Sequence, residues 1–106
     1  MYNPQNYQKI VNHYSRRKDT TGRRLEYLMH KRGLTKYSFA KRCAEVGANY
    51  GIKFTYMDIS NYIAEKYQPK SDKLYVMAEA MHVSTQWILG FEGNRVNLKP
   101  FTDNRP

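Results

Sequence analysis

The side chains best suited to binding chemistry lie close together in residues 54–63. Ser60 and Asn61 carry hydrogen-bond donors and acceptors, and Asn61 has the amide that pairs with the edge of an adenine. Met57 is apolar and suits the methyl group of thymine, whereas Tyr56 suits a base or a phosphate. Side chains of these types contact base edges when a helix carries them into the major groove of DNA.

The same segment has the pattern of a short capped helix. Thr55 and Asp58 have the spacing of a capping box, in which each side chain bonds the backbone N–H of the other residue. Ile59, Tyr62 and Ile63 fall on one face, which is expected to pack on a core. The opposite face then holds the outward positions Tyr56, Met57, Ser60 and Asn61. The pattern predicts a helix that is anchored on one side and free to bind on the other.

Composition and charge limit the classes of function. The net charge of +9 is uneven, because residues 1–42 carry eleven Lys or Arg and two acidic residues, whereas residues 43–106 carry seven of each. Such an excess favours a polyanionic partner, since binding phosphates releases condensed counterions. A basic surface that is merely solvated is the alternative, and charge alone does not separate the two.

Other classes of protein lack their usual signals. No apolar run approaches the roughly 20 residues that span a bilayer, and the start of the chain lacks a secretory pattern. Cys43 is the only cysteine, which fits a reducing cytoplasm, and we expect it to be a small buried hydrophobe. The three histidines (His13, His30 and His82) show no metal-ligand spacing, and there is no glycine-rich phosphate loop or nucleophile motif. The sequence therefore predicts no enzyme, no metal and no cofactor.

The first two of five expected helices precede an unusual connection. Thr20 or Thr21 is predicted to begin the first helix, and Gly33 to end it in the left-handed conformation. Thr35 is predicted to cap the second helix, whose expected inward residues are Tyr37, Phe39, Ala40 and Cys43. Residues 44–54 are then expected to form a connection broken by two glycines. Its expected anchors to the core are Val46, Tyr50, Ile52 and Phe54.

Two more helices are expected after the one that begins at Thr55. Pro69 forces a stop, and Ser71 is predicted to cap a helix with one apolar face. Ser84 opens a short last helix, which Gly90 closes. The positions expected in that apolar face and in the rest of the core are Leu25, Leu28, Leu74, Met77, Ala78, Met81 and Trp87.

Three parts of the chain are distinguished by these patterns. Residues 20–91 are predicted to form the bundle. Residues 1–19 are predicted to be a basic N-terminal helix or extension, with Tyr7 and Tyr14 on its apolar stripe. Residues 92–106 are poor in apolar side chains, and they are predicted to be an irregular tail or linker.

Taken in order, these features resemble the Cro/C1-type, lambda-repressor-like helix-turn-helix family. The matching pieces are Arg24-Leu25 with Leu28, Gly33-Leu34-Thr35, Phe39-Ala40-Lys41, Ile59-Ser60, Pro69, and Val83-Ser84-Thr85-Gln86-Trp87-Ile88-Leu89-Gly90. Each piece is weak alone, but their joint order is specific. The link between the second and third helices is longer than the family's tight turn. In this the chain is similar to CI-type repressors of temperate phages of Gram-positive bacteria, which have an enlarged turn.

The resemblance implies a fold and a function. The expected fold is an all-α, five-helix bundle with a helix-turn-helix and an additional N-terminal helix. The expected function is sequence-specific binding of double-stranded operator DNA by a cytoplasmic repressor that maintains lysogeny. The expected partners are a second copy of the chain on DNA and an antirepressor or other regulatory protein. An antitoxin or protein-interaction module is the alternative, using the N-terminal helix and the enlarged turn as its surface.

The resemblance also assigns roles to residues of this sequence. Base contacts fall to Tyr56, Met57, Ser60 and Asn61. Lys36 occupies a position where the family often has a phosphate-binding glutamine. The expected phosphate contacts, all flanking the third helix, are Lys36, Thr55, Lys53, Arg23, Lys66, Tyr67 and Lys70. For Arg23, Lys53, Lys66, Tyr67 and Lys70, a solvated surface position is an equally good interpretation.

Overall fold

A computed structural model of the protein describes residues 17–91. These residues form five α-helices and no strand, which confirms the predicted all-α class for this part of the chain. The helices are α1 Thr21–Arg32, α2 Lys36–Ala48, α3 Tyr56–Ile63, α4 Ser71–Met81 and α5 Thr85–Ile88. The predicted N-terminal helix, apart from its last residues, and the predicted tail lie outside the described residues.

Short-range caps determine where most of the helices begin. The Thr20 hydroxyl accepts a hydrogen bond from the Arg23 backbone N–H, and the Ser84 hydroxyl accepts one from the Trp87 backbone N–H at the start of α5. Thr35 and Ser38 form a reciprocal capping box at the start of α2. Gly33 ends α1 with φ of +64°, in the left-handed region that suits glycine. These predicted starts and this predicted stop are confirmed.

The core lies where the five helices meet. The helix α2 packs on α3 and α4, while α1 packs on α3 and α5, and α4 also contacts α5. Trp87, expected in the core, is only half-buried. The largest side chains that are fully buried are Leu25, Leu28, Phe39, Ile59, Met77, Met81 and Ile88.

Two predicted positions in the helices are wrong. Tyr37 was expected to face inward, but 73% of it is exposed. The buried face of α2 contains Phe39, and residues two apart on a helix point in nearly opposite directions, so Tyr37 faces outward. Ser71 was expected to cap α4, but it is the first helical residue. Lys70 occupies the cap position with extended backbone and makes no side-chain cap hydrogen bond.

The predicted connection after α2 is shorter than expected, because α2 continues through Gly47 to Ala48. Gly47 is buried where the link folds back, and its carbonyl accepts a hydrogen bond of 2.9 Å from the Ile52 N–H. A Cβ on Gly47 would collide with the Ile52 carbonyl oxygen. The link proper is residues 49–55. Of the anchors expected for the predicted connection of residues 44–54, Phe54 is buried, and Val46 and Ile52 pack partly against the core.

Tyr50 is the one expected anchor of the link that stays largely outside the core. Its exposed fraction is 49%, and its hydroxyl donates a 2.6 Å hydrogen bond to the Glu79 carboxylate. Its ring meets that of Tyr75 edge-on, with centroids 5.7 Å apart. The link is therefore tied to α4 by polar and aromatic contacts at the surface.

The two ends of the described region meet. The backbone N–H groups of Lys18 and Asp19 donate to the Gly90 carbonyl at 2.7 and 3.1 Å. Gly90 has φ of +95°, and a Cβ there would collide with the Asp19 carbonyl oxygen. This close approach therefore requires glycine. Among residues 17–91, no helix has the length and apolar character needed to cross a membrane.

Candidate nucleic-acid interface

One side of α3 is anchored in the core. Ile59 is fully buried and Tyr62 is almost so. The ring of Tyr62 meets that of Phe54 edge-on, with centroids 6.4 Å apart. Burial, together with the negative charges of Asp58 and Asp72, raises the pKa of Tyr62 to about 12. Tyr62 is therefore a neutral packing residue at physiological pH.

The other side of α3 is accessible. Met57 is 59% exposed and Tyr56 is 36% exposed, while Ser60 and Asn61 are half-buried. Within residues 17–91 the side chains of Ser60 and Asn61 make no hydrogen bond. Their donors and acceptors are therefore available to an outside partner. All four residues assigned to base contacts lie on this one helix.

The start of α3 is held by the predicted capping box and by one further contact. The Thr55 N–H donates to the Asp58 carboxylate at 2.8 Å, and the Asp58 N–H donates to the Thr55 hydroxyl at 3.2 Å. Lys73 of α4 contacts the same carboxylate oxygen at 3.0 Å. Partial burial alone raises the pKa of Asp58, but the hydrogen bonds from Lys73 and the Thr55 N–H outweigh it and lower that pKa from its ordinary value. The acid is thus fully engaged and charged.

The end of α3 is fixed to the start of α1. Glu65 has φ of +62°, and the Lys66 N–H returns to the Asn61 carbonyl at 2.9 Å, which closes the helix. The Glu65 carboxylate accepts a hydrogen bond of 2.6 Å from the Gly22 N–H. A Cβ on Gly22 would lie 2.5 Å from both that carboxylate and the Ile63 carbonyl oxygen. Glycine at this position allows the two helices to approach this closely.

A surface pocket of about 640 Å³ lies beside the end of α3. It brings Asn61 together with three of the predicted phosphate contacts from the segment between α3 and α4. The ion pair between Asp58 and Lys73 forms part of its wall. The lining residues are Asp58, Asn61, Tyr62, Lys66, Tyr67, Gln68, Lys70, Asp72 and Lys73.

The structure divides the predicted phosphate contacts into two groups. Lys36, Lys53 and Thr55 lie near the start of α3, whereas Lys66, Tyr67, Lys70 and Arg23 lie near its end. All are exposed except Lys36, which is half-buried. Eight helical residues span about 12 Å, which is close to the width of the major groove. The two groups therefore lie toward opposite ends of a helix of about this length.

Arg24 and Arg23 differ in whether their side chains are accessible to a ligand. Arg24 donates to the Trp87 carbonyl at 2.8 Å, stacks on the Trp87 ring at 4.7 Å and pairs with Asp19. It joins α1 to α5, and its side chain is only 12% exposed. Arg23 pairs with Asp19 at 3.1 Å, but its side chain is 77% exposed, so it can reach a phosphate.

Tyr37 is a residue of this surface that the sequence pattern missed. Its ring lies against that of Tyr56, with centroids 4.5 Å apart and planes tilted by 37°. Tyr37 is the second residue of α2 and Tyr56 is the first of α3. The contact brings the starts of the two helices together. The spacing from the Thr35 cap was the available signal, because it places residue 37 in the exposed first turn.

Lys73 was missed because its partner Asp58 is fifteen residues away, and no local pattern joins them.

Across residues 17–91, no three His, Cys, Asp or Glu side chains are grouped as a metal site would require. Comparison of the chain with models of known protein families gives no match, and a search of curated proteins gives none either.

Proposed function

We propose that this chain is a sequence-specific, double-stranded DNA-binding transcriptional repressor that inserts α3 into the major groove. One observation carries the proposal. The helix α3 is anchored by Ile59 and Tyr62, while Met57, Ser60 and Asn61 lie on its accessible side. Within residues 17–91, the polar side-chain atoms of Ser60 and Asn61 are unsatisfied. A helix whose buried face packs on the core and whose exposed face carries short polar groups suits the recognition of base edges.

The finer fold belongs to the same proposal. We propose that α2, the link of residues 49–55 and α3 form the helix-turn-helix of a lambda-repressor-like bundle with an enlarged turn. The ring contact between Tyr37 and Tyr56 supports this pairing, because it joins the first turns of the two helices. By the same resemblance, the biological role proposed is that of a CI-like lysogeny repressor acting in the cytoplasm of a bacterial host.

The expected partner on DNA is a second copy of the chain. A two-fold dimer would place its two α3 helices about 34 Å apart, one turn of the double helix, on a palindromic or nearly palindromic operator. The exposed lysines at both ends of α3 would bind phosphates and set the register. An antirepressor or other regulatory protein would relieve the repression.

The test begins with selection of binding sites from a random pool of duplex DNA, using the full chain. Binding to the selected site is then compared for Asn61→Ala and the unmodified protein. We expect the preference for the selected site over random DNA to fall by about 5- to 150-fold, because alanine cannot form the bidentate hydrogen bonds to one base. Weak, salt-sensitive binding to random DNA should remain.

The matched control is Asn49→Ala, which removes an exposed asparagine from the link rather than from α3. It should leave both the preference and the affinity unchanged. An Asn61→Ala protein that keeps its full preference would contradict the assignment of Asn61. A selection that enriches no sequence would contradict DNA recognition and favour the protein-interaction alternative.

A further inference from the structure

Three exposed apolar side chains lie where α2 and α3 begin. Tyr37 is 73% exposed, Met57 is 59% exposed and Tyr56 is 36% exposed. The two rings are in contact, and Met57 directly follows Tyr56 in the chain. We refer to Tyr37, Tyr56 and Met57 as the apolar corner. Grouped exposed apolar side chains mark an interaction site more often than scattered ones do.

The apolar corner is built on rigid supports. The capping box of Thr35 and Ser38 fixes the start of α2, and that of Thr55 and Asp58 fixes the start of α3. Lys73 of α4 adds an ion pair to Asp58. The backbone that carries the two stacked rings is therefore fixed before any partner arrives, which lowers the entropy cost of binding. Neither tyrosine hydroxyl makes a hydrogen bond within residues 17–91, so both are available to a partner.

The surroundings of the apolar corner favour DNA over a protein partner. Lys36 precedes Tyr37, and Lys53 lies in the link just before α3. The carboxylate in the first turn of α3, that of Asp58, is already paired with Lys73. The unpaired charges that adjoin the corner along the chain, Lys36 and Lys53, are thus positive. In the major groove, the C5-methyl group of thymine is the apolar feature of a base pair, and phosphates border it.

We propose that the apolar corner recognises the C5-methyl group of a pyrimidine in the operator, and that Tyr37 positions Tyr56 for this contact. This inference rests on the proposed function and adds a specific chemical group to it. Tyr37 then acts from α2, although the base-contacting residues belong to α3. Thymine and 5-methylcytosine carry this methyl group, whereas uracil and cytosine do not.

The experiment uses the site selected with the full chain. Each thymine is replaced in turn by deoxyuridine, which removes only the methyl group, and the Kd is measured by fluorescence anisotropy. At one position in each half-site we expect the affinity to fall by about three- to five-fold, the change that corresponds to exposing one buried methyl group. Deoxyuridine at other positions should have no such effect.

Substitutions in the apolar corner test whether it causes the loss of affinity on replacing thymine by deoxyuridine. Met57→Ala should reduce the deoxyuridine penalty because it removes part of the apolar surface that meets the methyl group. Tyr37→Ala should also reduce it and weaken binding to the thymine site, while Tyr37→Phe, which keeps the ring stack, should retain the penalty. Tyr27→Ala removes another exposed tyrosine on α1 and should behave like the unmodified protein. Equal melting temperatures of the Tyr37 variants and the unmodified chain would show that folding is intact.

The outcomes separate this inference from the proposed function. If the selection yields a site but no thymine in it responds to deoxyuridine, methyl recognition is wrong and repressor function stands. A penalty of the same size in Tyr37→Ala and the unmodified protein would overturn the role of Tyr37. If no site is enriched, the proposed function fails first, and this inference fails with it.

Discussion

Asp58 combines two roles at the residue scale. Its backbone N–H and carboxylate complete the capping box of α3, and its carboxylate also binds Lys73 of α4. The helix proposed to contact bases is thus tied to its neighbour by a charge in its own first turn. Any change in that charge should first change the free energy of unfolding of the bundle.

Asp58→Asn is expected to lower the free energy of unfolding by about 1 kcal/mol at pH 7, because asparagine keeps a cap acceptor but cannot form the ion pair with Lys73. The ion pair with Lys73 and the cap hydrogen bond lower the pKa of Asp58 in the folded protein. Its contribution is therefore present above the unfolded pKa of about 3.9 and is lost as pH falls through the lower folded value. The difference between the two proteins should shrink below pH 4.

Urea denaturation at pH 7 and pH 3 measures this difference. Glu45→Gln is the control, because Glu45 is exposed on α2 and makes no ion pair within the described residues. It should leave the stability at pH 7 nearly unchanged. An Asp58→Asn protein that loses as much stability at pH 3 as at pH 7 would show that the charge is not what stabilises α3.

The same scale shows which interactions could be predicted. The caps at Thr20, Thr35, Thr55 and Ser84 depend on residues three positions apart, so the sequence alone identifies them. The stack of Tyr37 on Tyr56 depends on how two helices cross, which no local spacing encodes. The bond from Gly22 to Glu65 spans 43 positions and was missed for the same reason.

At the scale of elements, Gly47 explains the actual length of the link. Glycine normally weakens a helix interior, and the sequence pattern therefore predicted a break. Instead α2 continues past it, and the missing side chain makes room for the Ile52 carbonyl. The chain can turn back sharply only because Gly47 has no Cβ. The sequence thus predicted a long connection between α2 and α3 but not where it begins.

Gly47→Ala is expected to destabilise the protein by about 1–3 kcal/mol, the usual cost of overpacking a buried site. Intrinsic propensity alone predicts the opposite sign, because alanine is the better helix former by about 1 kcal/mol. Thermal or urea denaturation distinguishes the two. Gly51→Asn serves as control, since Gly51 has φ of +70° with open space around it and asparagine tolerates that conformation. A stabilised Gly47→Ala protein would contradict the close approach of Ile52.

At the scale of the whole molecule, the charge excess and the interface coincide only in part. The sequence locates the excess in residues 1–42, whereas the proposed phosphate contacts also include Lys53, Lys66 and Lys70. Folding brings these later lysines beside α3 and Arg23 beside the end of the same helix. Net charge could therefore predict the kind of partner, but only the fold groups the residues that would meet it.

The double variant Lys53→Gln with Lys66→Gln removes one exposed cation from each end of α3. The slope of log affinity against log salt should become shallower by about 0.9 for each phosphate that the variant no longer neutralises, or about 1.8 in total. Binding to the selected site and to random DNA should weaken alike, because phosphates carry no sequence information. Titrations at several salt concentrations measure the slope.

Lys31→Gln provides the matched control, since Lys31 is exposed in the last turn of α1, at the other end of that helix from Arg23. It removes the same charge and should leave the slope unchanged. If all three substitutions reduced the slope equally, the protein would bind DNA through its general charge. The two groups at the ends of α3 would then have no special role.

The contact of Lys18 and Asp19 with Gly90 has a consequence for anything attached to the bundle. The segments that precede Arg17 and follow Phe91 leave from adjacent points, because the bridge between these residues joins them. Two ligands captured separately by those flanking segments would be tethered at a high effective concentration relative to each other. A donor and an acceptor fluorophore fused at these two points should accordingly report energy transfer in the folded state and lose it on denaturation.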